Sequence, residues 1–191
     1  VRPAAGGATR RTTRPALLLD RDGTIVRDAH YLRAPSQLEI LPGVVDALRR
    51  FQAAGWALVV VTNQSGIARG MFTEAEYAVV RDALAAMLAR EGVTLDATFH
   101  CPHHPDVSPP CACRKPGTLL FEQARDALGL DLTRSVLVGD RWRDIAAAPV
   151  LGARGILVPG VETPDEDLQR ARREAEVADG LVALSEMVLD A

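Results

Sequence analysis

Two carboxylates one residue apart, Asp20 and Asp22, end a short apolar run, Leu17-Leu18-Leu19, and are followed at once by Gly23 and Thr24. Such a run suits a buried strand of a parallel sheet, and ligands of these sheets bind beyond the strands' carboxyl ends. The pair alone is ambiguous, because Asp-Gly also closes strands and shapes turns. Two more apolar runs end in polar clusters: Ala57 to Val61 leads into Thr62-Asn63-Gln64-Ser65, and Ser135 to Val138 into Gly139-Asp140. Parallel strands present these ends along one edge, where Arg114-Lys115 can join them from a loop. Carboxylates in this number suit a hard divalent cation such as Mg2+, which takes one or two of them together with water and substrate phosphate. Ammonium, guanidinium, hydroxyl and amide donors suit the oxygens of a phosphoryl group. The chemistry indicated is phosphoryl transfer.

Two oddities of composition bear on this set. Of 22 basic residues only Lys115 is lysine. An ammonium is a compact point charge and a guanidinium a rigid fork, so the retained lysine marks a place where the fork does not serve. All three cysteines fall between positions 101 and 113, and three of the four histidines between 100 and 104. In a reducing compartment that crowding favours metal over disulfide. Cys101-x-His103 and Cys111-x-Cys113 form a set able to close a tetrahedral zinc site, although spacing alone leaves His103 and His104 both open. Four protein ligands leave no position for substrate, so the zinc is structural. It would pin a loop with little apolar content and so position Arg114 and Lys115, which follow the last ligand.

The elements that must carry these groups read as a doubly wound α/β domain with a parallel sheet and helices on both faces. Strands are expected at Leu17–Leu19, Ala57–Thr62, Ala97–His100, Ser135–Gly139 and Gly155–Val158. Helical spacing of Val44, Leu48 and Phe51 runs from Pro42-Gly43 to Gly55. A longer helix spans Thr73 to Arg90, with Thr73 and Glu76 forming a capping box. Further helices are expected over 118–128 and over 141–150, where Pro149 must end or kink the run. Two amphipathic helices fill 164–190, with a short strand near Leu181. Residues 25–41 read as a loop or small hairpin, which leaves no large cap domain between the motifs.

At 191 residues, 48% of them hydrophobic, the chain suits one domain over 15–191 with a zinc loop at 101–113. Residues 1–14 are basic, rich in small residues and aperiodic, and are expected to be a disordered lead-in. A net charge of -3 argues against nucleic acid or a membrane surface as partner. With no apolar run of transmembrane length and no signal-peptide pattern, a monomeric cytoplasmic protein acting on a small phosphorylated metabolite is expected.

Asp20-Arg21-Asp22-Gly23-Thr24, Thr62, Lys115 and Gly139-Asp140 with Asp144 resemble, in order, the four motifs of the haloacid dehalogenase superfamily of phosphohydrolases. The resemblance implies that Asp20 is the nucleophile, forming an aspartyl-phosphate, and that Asp22 is the acid and then the base. It implies Mg2+ on Asp20, the backbone carbonyl of Asp22, and Asp140, with Thr62 and Lys115 holding the phosphoryl group. Asp144 would orient either the metal's water or Lys115. The zinc loop and Thr62 to Gly70 are similar to the branch containing heptose bisphosphate phosphatases and histidinol-phosphate phosphatases. Within that branch His103 is the zinc ligand, and Asn63, Gln64, Ser65 and Arg114 contact substrate together with the loop Asp28-Ala29-His30-Tyr31. That loop departs from the heptose enzymes, which tend to carry His-Gly-Tyr where this chain has Ala29-His30-Tyr31. Hydrolysis of the C7 phosphate of a heptose 1,7-bisphosphate is the leading expectation and histidinol-phosphate hydrolysis the alternative. A non-catalytic, zinc-stabilised binding module on the same fold is the alternative of another class.

Overall fold

The computed structural model describes residues 13–190. Six strands form one parallel sheet: β1 (Ala16–Leu19), β2 (Ala57–Asn63), β3 (Ala97–Cys101), β4 (Val136–Gly139), β5 (Arg154–Leu157) and β6 (Glu176–Val177). Their order across the sheet is β3-β2-β1-β4-β5-β6. The order reverses at β1, and the crevice beyond the carboxyl ends of β1 and β4 is where such sheets bind ligands.

Alternation along the strands builds a core on each face. Leu17 and Leu19 of β1 and Leu58 and Val60 of β2 pack with α1 (Val44–Ala53), α2 (Glu74–Arg90) and α7 (Leu181–Leu189). Leu18, Val59 and Val61 point the other way, toward Leu120, Phe121 and Ala124 of α3 (Leu119–Leu128). Burial on both faces explains why these strands are uninterrupted apolar runs rather than alternating ones. The α2 capping box forms as expected: the Glu76 amide donates to Thr73 Oγ1 at 3.2 Å, and Glu76 Oε2 accepts from the Thr73 amide at 2.7 Å.

Three boundaries differ from expectation. The run over 141–150 is split into α4 (Trp142–Ile145) and α5 (Ala148–Leu151). Pro149 lies in the first turn of α5, where its missing N–H breaks no helical hydrogen bond, so it neither ends nor kinks the helix. The short C-terminal strand is β6, reached before Gly180, which at φ 129° separates it from α7, so Leu181 opens a helix. Between β5 and β6 runs α6 (Asp165–Glu174). Residues 1–12 of the expected lead-in lie outside the described residues, whereas Arg14 is already tied to the domain by a bridge to Leu130 and an ion pair with Asp96. Among the described residues no helix is long and apolar enough to cross a membrane.

Leu48, fully buried in the α1 face and away from the carboxylates, tests the core independently of the chemistry. Leu48→Ala is expected to lower the unfolding free energy by about 2–5 kcal/mol in urea titrations.

Candidate active site

The carboxyl edge of the sheet gathers four charged groups from three parts of the chain. Asp20 follows β1, and its amide continues the ladder by donating to the Val138 carbonyl at 2.8 Å. Lys115 reaches under it, with Nζ donating to Asp20 Oδ1 at 2.7 Å and to the Val61 carbonyl at 2.7 Å, and pairing with Asp144 Oδ1 at 2.8 Å. Three ammonium donors thus meet three acceptors. A planar guanidinium could not reproduce that arrangement from the same Cα, which accounts for the lone lysine of the chain. Burial works against the lysine's charge, but Asp144 and Asp20 outweigh it and hold its pKa above the usual value. The lysine backbone is fixed as well, because the Asn63 side chain accepts from the Lys115 amide at 3.0 Å and donates to its carbonyl at 3.2 Å.

Asp140 completes the cluster from the end of β4. Gly23, at φ 80°, allows the approach, since a Cβ there would stand 2.5 Å from Asp140 Oδ2. Burial, then the nearby Asp20 and Asp144, push the Asp140 carboxyl up to about 7. Asp20, Asp140 and Asp144 each offer an oxygen within 4.8 Å of the others. Three buried carboxylates face one ammonium, and Arg141 Nε, at the rim, reaches Asp140 at 3.2 Å. The excess negative charge is costly in a buried site and is what a divalent cation would cancel, so the residues fit Mg2+. Asp144, already held by Lys115, acts here through the lysine.

Asp22 belongs to a different environment. Its carboxylate points to Arg21 and Gln64 rather than to Lys115. Burial raises its pKa, and the Arg21 guanidinium only partly offsets this. Thr62 Oγ1 accepts from Gln64 Nε2 at 2.9 Å. Gln64, expected to touch substrate, lines the cleft but is largely buried and bonded to Asp22, Thr62 and Arg21.

A cleft of about 220 Å³ opens over these groups, and Asp28, His30, Tyr31, Asn63, Gln64 and Ser65 are among the residues that line it. Arg141 and Arg143 also line it, and the sequence reading passed over both; their only signal was position, directly after the Gly139-Asp140 end of β4. His30 and Tyr31 both adopt left-handed backbone, at φ 43° and 66°. A side chain in that conformation costs about 1–2 kcal/mol. The turn is held by Asp28 Oδ1, which accepts from the His30 amide at 3.0 Å, and by Arg69 Nη1, which donates to the Tyr31 hydroxyl at 3.0 Å. Arg69 Nη2 lies 2.7 Å from His104 Nε2, so the same guanidinium ties this turn to the zinc loop.

In that loop Cys101 Sγ stands 3.8 Å from Cys111 Sγ, 3.1 Å from Cys113 Sγ and 3.7 Å from His103 Nδ1. These separations are too long for disulfides; the Cys101–Cys111 distance equals the edge of about 3.8 Å that Zn–S bonds of about 2.3 Å give a tetrahedron, and the Cys101–Cys113 distance is shorter. His103 turns its ring into the cluster, and His104 faces Arg69 instead. The residues fit a structural zinc. Arg114, the last residue before the lysine, donates to the His103 carbonyl at 3.1 Å and lies on the zinc-loop side, outside the lining of the main cleft. His100 remains a β3 residue, its ring against Tyr77 at 4.2 Å.

Parallel sheet, capless cleft and buried carboxylate–lysine cluster together define a phosphohydrolase of the haloacid dehalogenase type. A HAD-hydrolase-like family profile matches residues 112–184. The chain is 47% identical over 139 residues to the D-glycero-beta-D-manno-heptose-1,7-bisphosphate 7-phosphatase of Escherichia coli O6:H1, covering 70% of this chain and 73% of that protein. The corresponding enzyme of Photorhabdus laumondii is 38% identical over 164 residues, 82% of this chain and 87% of that protein. A crystal structure of the D,D-heptose 1,7-bisphosphate phosphatase from B. bronchiseptica, complexed with magnesium and phosphate, matches with a TM-score of 0.82 at 34% identity, covering 92% of this chain and 98% of that chain. The chain belongs to the D-glycero-D-manno-heptose-1,7-bisphosphate 7-phosphatase branch of the HAD superfamily, and it is a phosphoric monoester hydrolase.

Two outcomes follow from the metal sites. Chelation of the zinc, expected at about one per chain by metal analysis, should lower the melting temperature, because the loop has no apolar core of its own. Mg2+ must displace the proton that Asp140 holds below pH 7 in the metal-free protein. Affinity measured by calorimetry should therefore weaken by about tenfold per pH unit below 7 and level off above it.

Proposed function

We propose that this protein hydrolyses the C7 phosphate of D-glycero-D-manno-heptose 1,7-bisphosphate, with Asp20 as nucleophile and Asp22 as general acid and base. The observation that carries the reading is the meeting of Asp20, Asp140, Asp144 and Lys115 at the switch point of the sheet, on a cleft that Asp22 also lines. The relatives named above supply the substrate.

In the first half-reaction an Asp20 oxygen bonds to phosphorus, the bond to the sugar oxygen breaks, and Asp22 gives its proton to that oxygen. In the second, Asp22 takes a proton from water, the water oxygen bonds to phosphorus, and the Asp20–phosphorus bond breaks to release phosphate. Covalent catalysis of this kind replaces one hard displacement with two easier ones. The raised pKa of Asp22 suits a group that must hold a proton at one stage and accept one at the next. Mg2+, held by Asp20, Asp140 and the Asp22 carbonyl, would neutralise charge on the transferring phosphoryl group. Lys115 neutralises Asp20 and fixes its carboxylate, and Thr62, which lines the cleft, would help hold the phosphoryl group. Asp28, His30, Tyr31, Asn63, Gln64 and Ser65 line the cleft where the sugar would sit, and Arg141 and Arg143 add positive charge at the same opening.

The heptose bisphosphate should exceed histidinol phosphate in kcat/KM by about tenfold or more in steady-state kinetics, and the reverse order would transfer the assignment. Asp20→Asn should keep the fold by circular dichroism while kcat falls by about 10,000-fold or more. Turnover near wild type would show that Asp20 is not the nucleophile. Lys115→Arg should also lose most activity despite its conserved charge, since a fork cannot meet Asp20, Asp144 and the Val61 carbonyl at once.

A further inference from the structure

The residue between the two carboxylates, Arg21, has no role in the reaction as written, yet it is 2% exposed. Burying a guanidinium costs several kcal/mol unless its donors are matched, so a turn residue serving only solubility would not be found there (roughly, by the penalty for buried ions). Two of its three nitrogens are matched, chiefly by Asp22, while Nη1 is buried with no partner among the described residues. Nε donates to Asp22 Oδ1 at 3.0 Å and Nη2 to Asp22 Oδ2 at 2.8 Å, the bidentate fork that distinguishes arginine from lysine. Nη2 also donates to Gln64 Oε1 at 3.0 Å. Gln64 in turn donates from Nε2 to Asp22 Oδ2 at 2.9 Å and to Thr62 Oγ1 at 2.9 Å. Behind the fork the guanidinium carbon stands 5.8 Å from the centroid of the Tyr77 ring.

The two oxygens of Asp22 are consequently unequal. Oδ2 accepts two hydrogen bonds, which occupies both of its lone pairs, and Oδ1 accepts one. We infer that Arg21 and Gln64 form a brace that locks the rotation of the Asp22 carboxyl and leaves Oδ1 as the oxygen that exchanges the proton. In the first half-reaction the proton leaves Oδ1 for the sugar oxygen as the phosphorus–oxygen bond breaks. In the second a water proton returns to Oδ1 as the water oxygen bonds to phosphorus. Arg21 is then a positioning residue that acts through Asp22, and Gln64 shares that task. This inference rests on the reading of Asp22 as acid and base.

Leaving-group dependence separates a brace from a merely structural arginine. An alkyl phosphate needs its departing oxygen protonated, and 4-nitrophenyl phosphate scarcely does, so loss of a positioned acid lowers kcat/KM far more for the alkyl ester. The ratio of kcat/KM for an alkyl phosphate to that for 4-nitrophenyl phosphate should fall by about 30-fold or more in Arg21→Met, and Arg21→Lys should not restore it. Gln64→Met, which leaves the ion pair in place, should lower the same ratio by a smaller factor and serves if Arg21→Met does not fold. Asp22→Asn is measured alongside. If Asp22→Asn lowers the ratio and the Arg21 and Gln64 variants leave it at the wild-type value, the brace is refuted and the acid–base reading stands. If Asp22→Asn itself leaves the ratio unchanged, the reading of Asp22 fails and the brace with it.

Discussion

Lys115 and the carboxylates around it set the terms for the rest of this structure. An ammonium buried without partners would lose its charge, and Asp20 and Asp144 buried together would repel each other, so neither side is tolerable alone. Lys115 bonds Asp20, Asp144 and the Val61 carbonyl at 2.7–2.8 Å. Those bonds require three parts of the fold to be in register: the ends of β1 and β2, the start of α4, and the loop that brings the lysine. Even so the cluster keeps more negative charge than it neutralises, and that residue of charge is what makes the site a cation site.

The lysine arrives on a stretch with little apolar surface to fold around. Its loop is anchored instead by polar and metal-ligating groups: Cys101 at the end of β3, His103, Cys111 and Cys113 around a zinc-sized tetrahedron, and Asn63 clamping the Lys115 backbone. Structural metal replaces the hydrophobic burial that a short loop cannot supply. The same loop touches the cleft turn through His104 and Arg69, so the groups that set catalysis and those that set the shape of the opening share one support.

Asp20 and Asp22 illustrate how one strand end gives two carboxylates different characters. The strand ends at Leu19 and the chain turns directly afterwards, with the Ile25 and Val26 amides donating to the Arg21 carbonyl, so the two carboxylates need not face the same partners. Asp20 meets the ammonium and the metal ligands, whereas Asp22 is braced by the buried guanidinium beside it. Separate partners, more than separate positions, divide their chemistry.

Much of this was legible in the linear chain. The apolar runs ending in Asp20, Thr62 and Asp140 named the sheet edge, because burial on both faces forces a strand to be apolar throughout and chemistry to wait for its end. The Cys and His spacing named the metal loop, and the single lysine marked itself by its rarity. Hydrogen-bond partners across the fold were not legible, since they depend on distances that no local pattern encodes. That Asn63 would spend its amide on the Lys115 backbone, that Asp144 would pair with the lysine, and that Gln64 and Arg21 would turn inward to Asp22 were settled only when strands far apart in sequence were laid side by side. Residue type and spacing determined which groups could do the chemistry, and the tertiary packing decided which of them face the cleft and which hold the others in place.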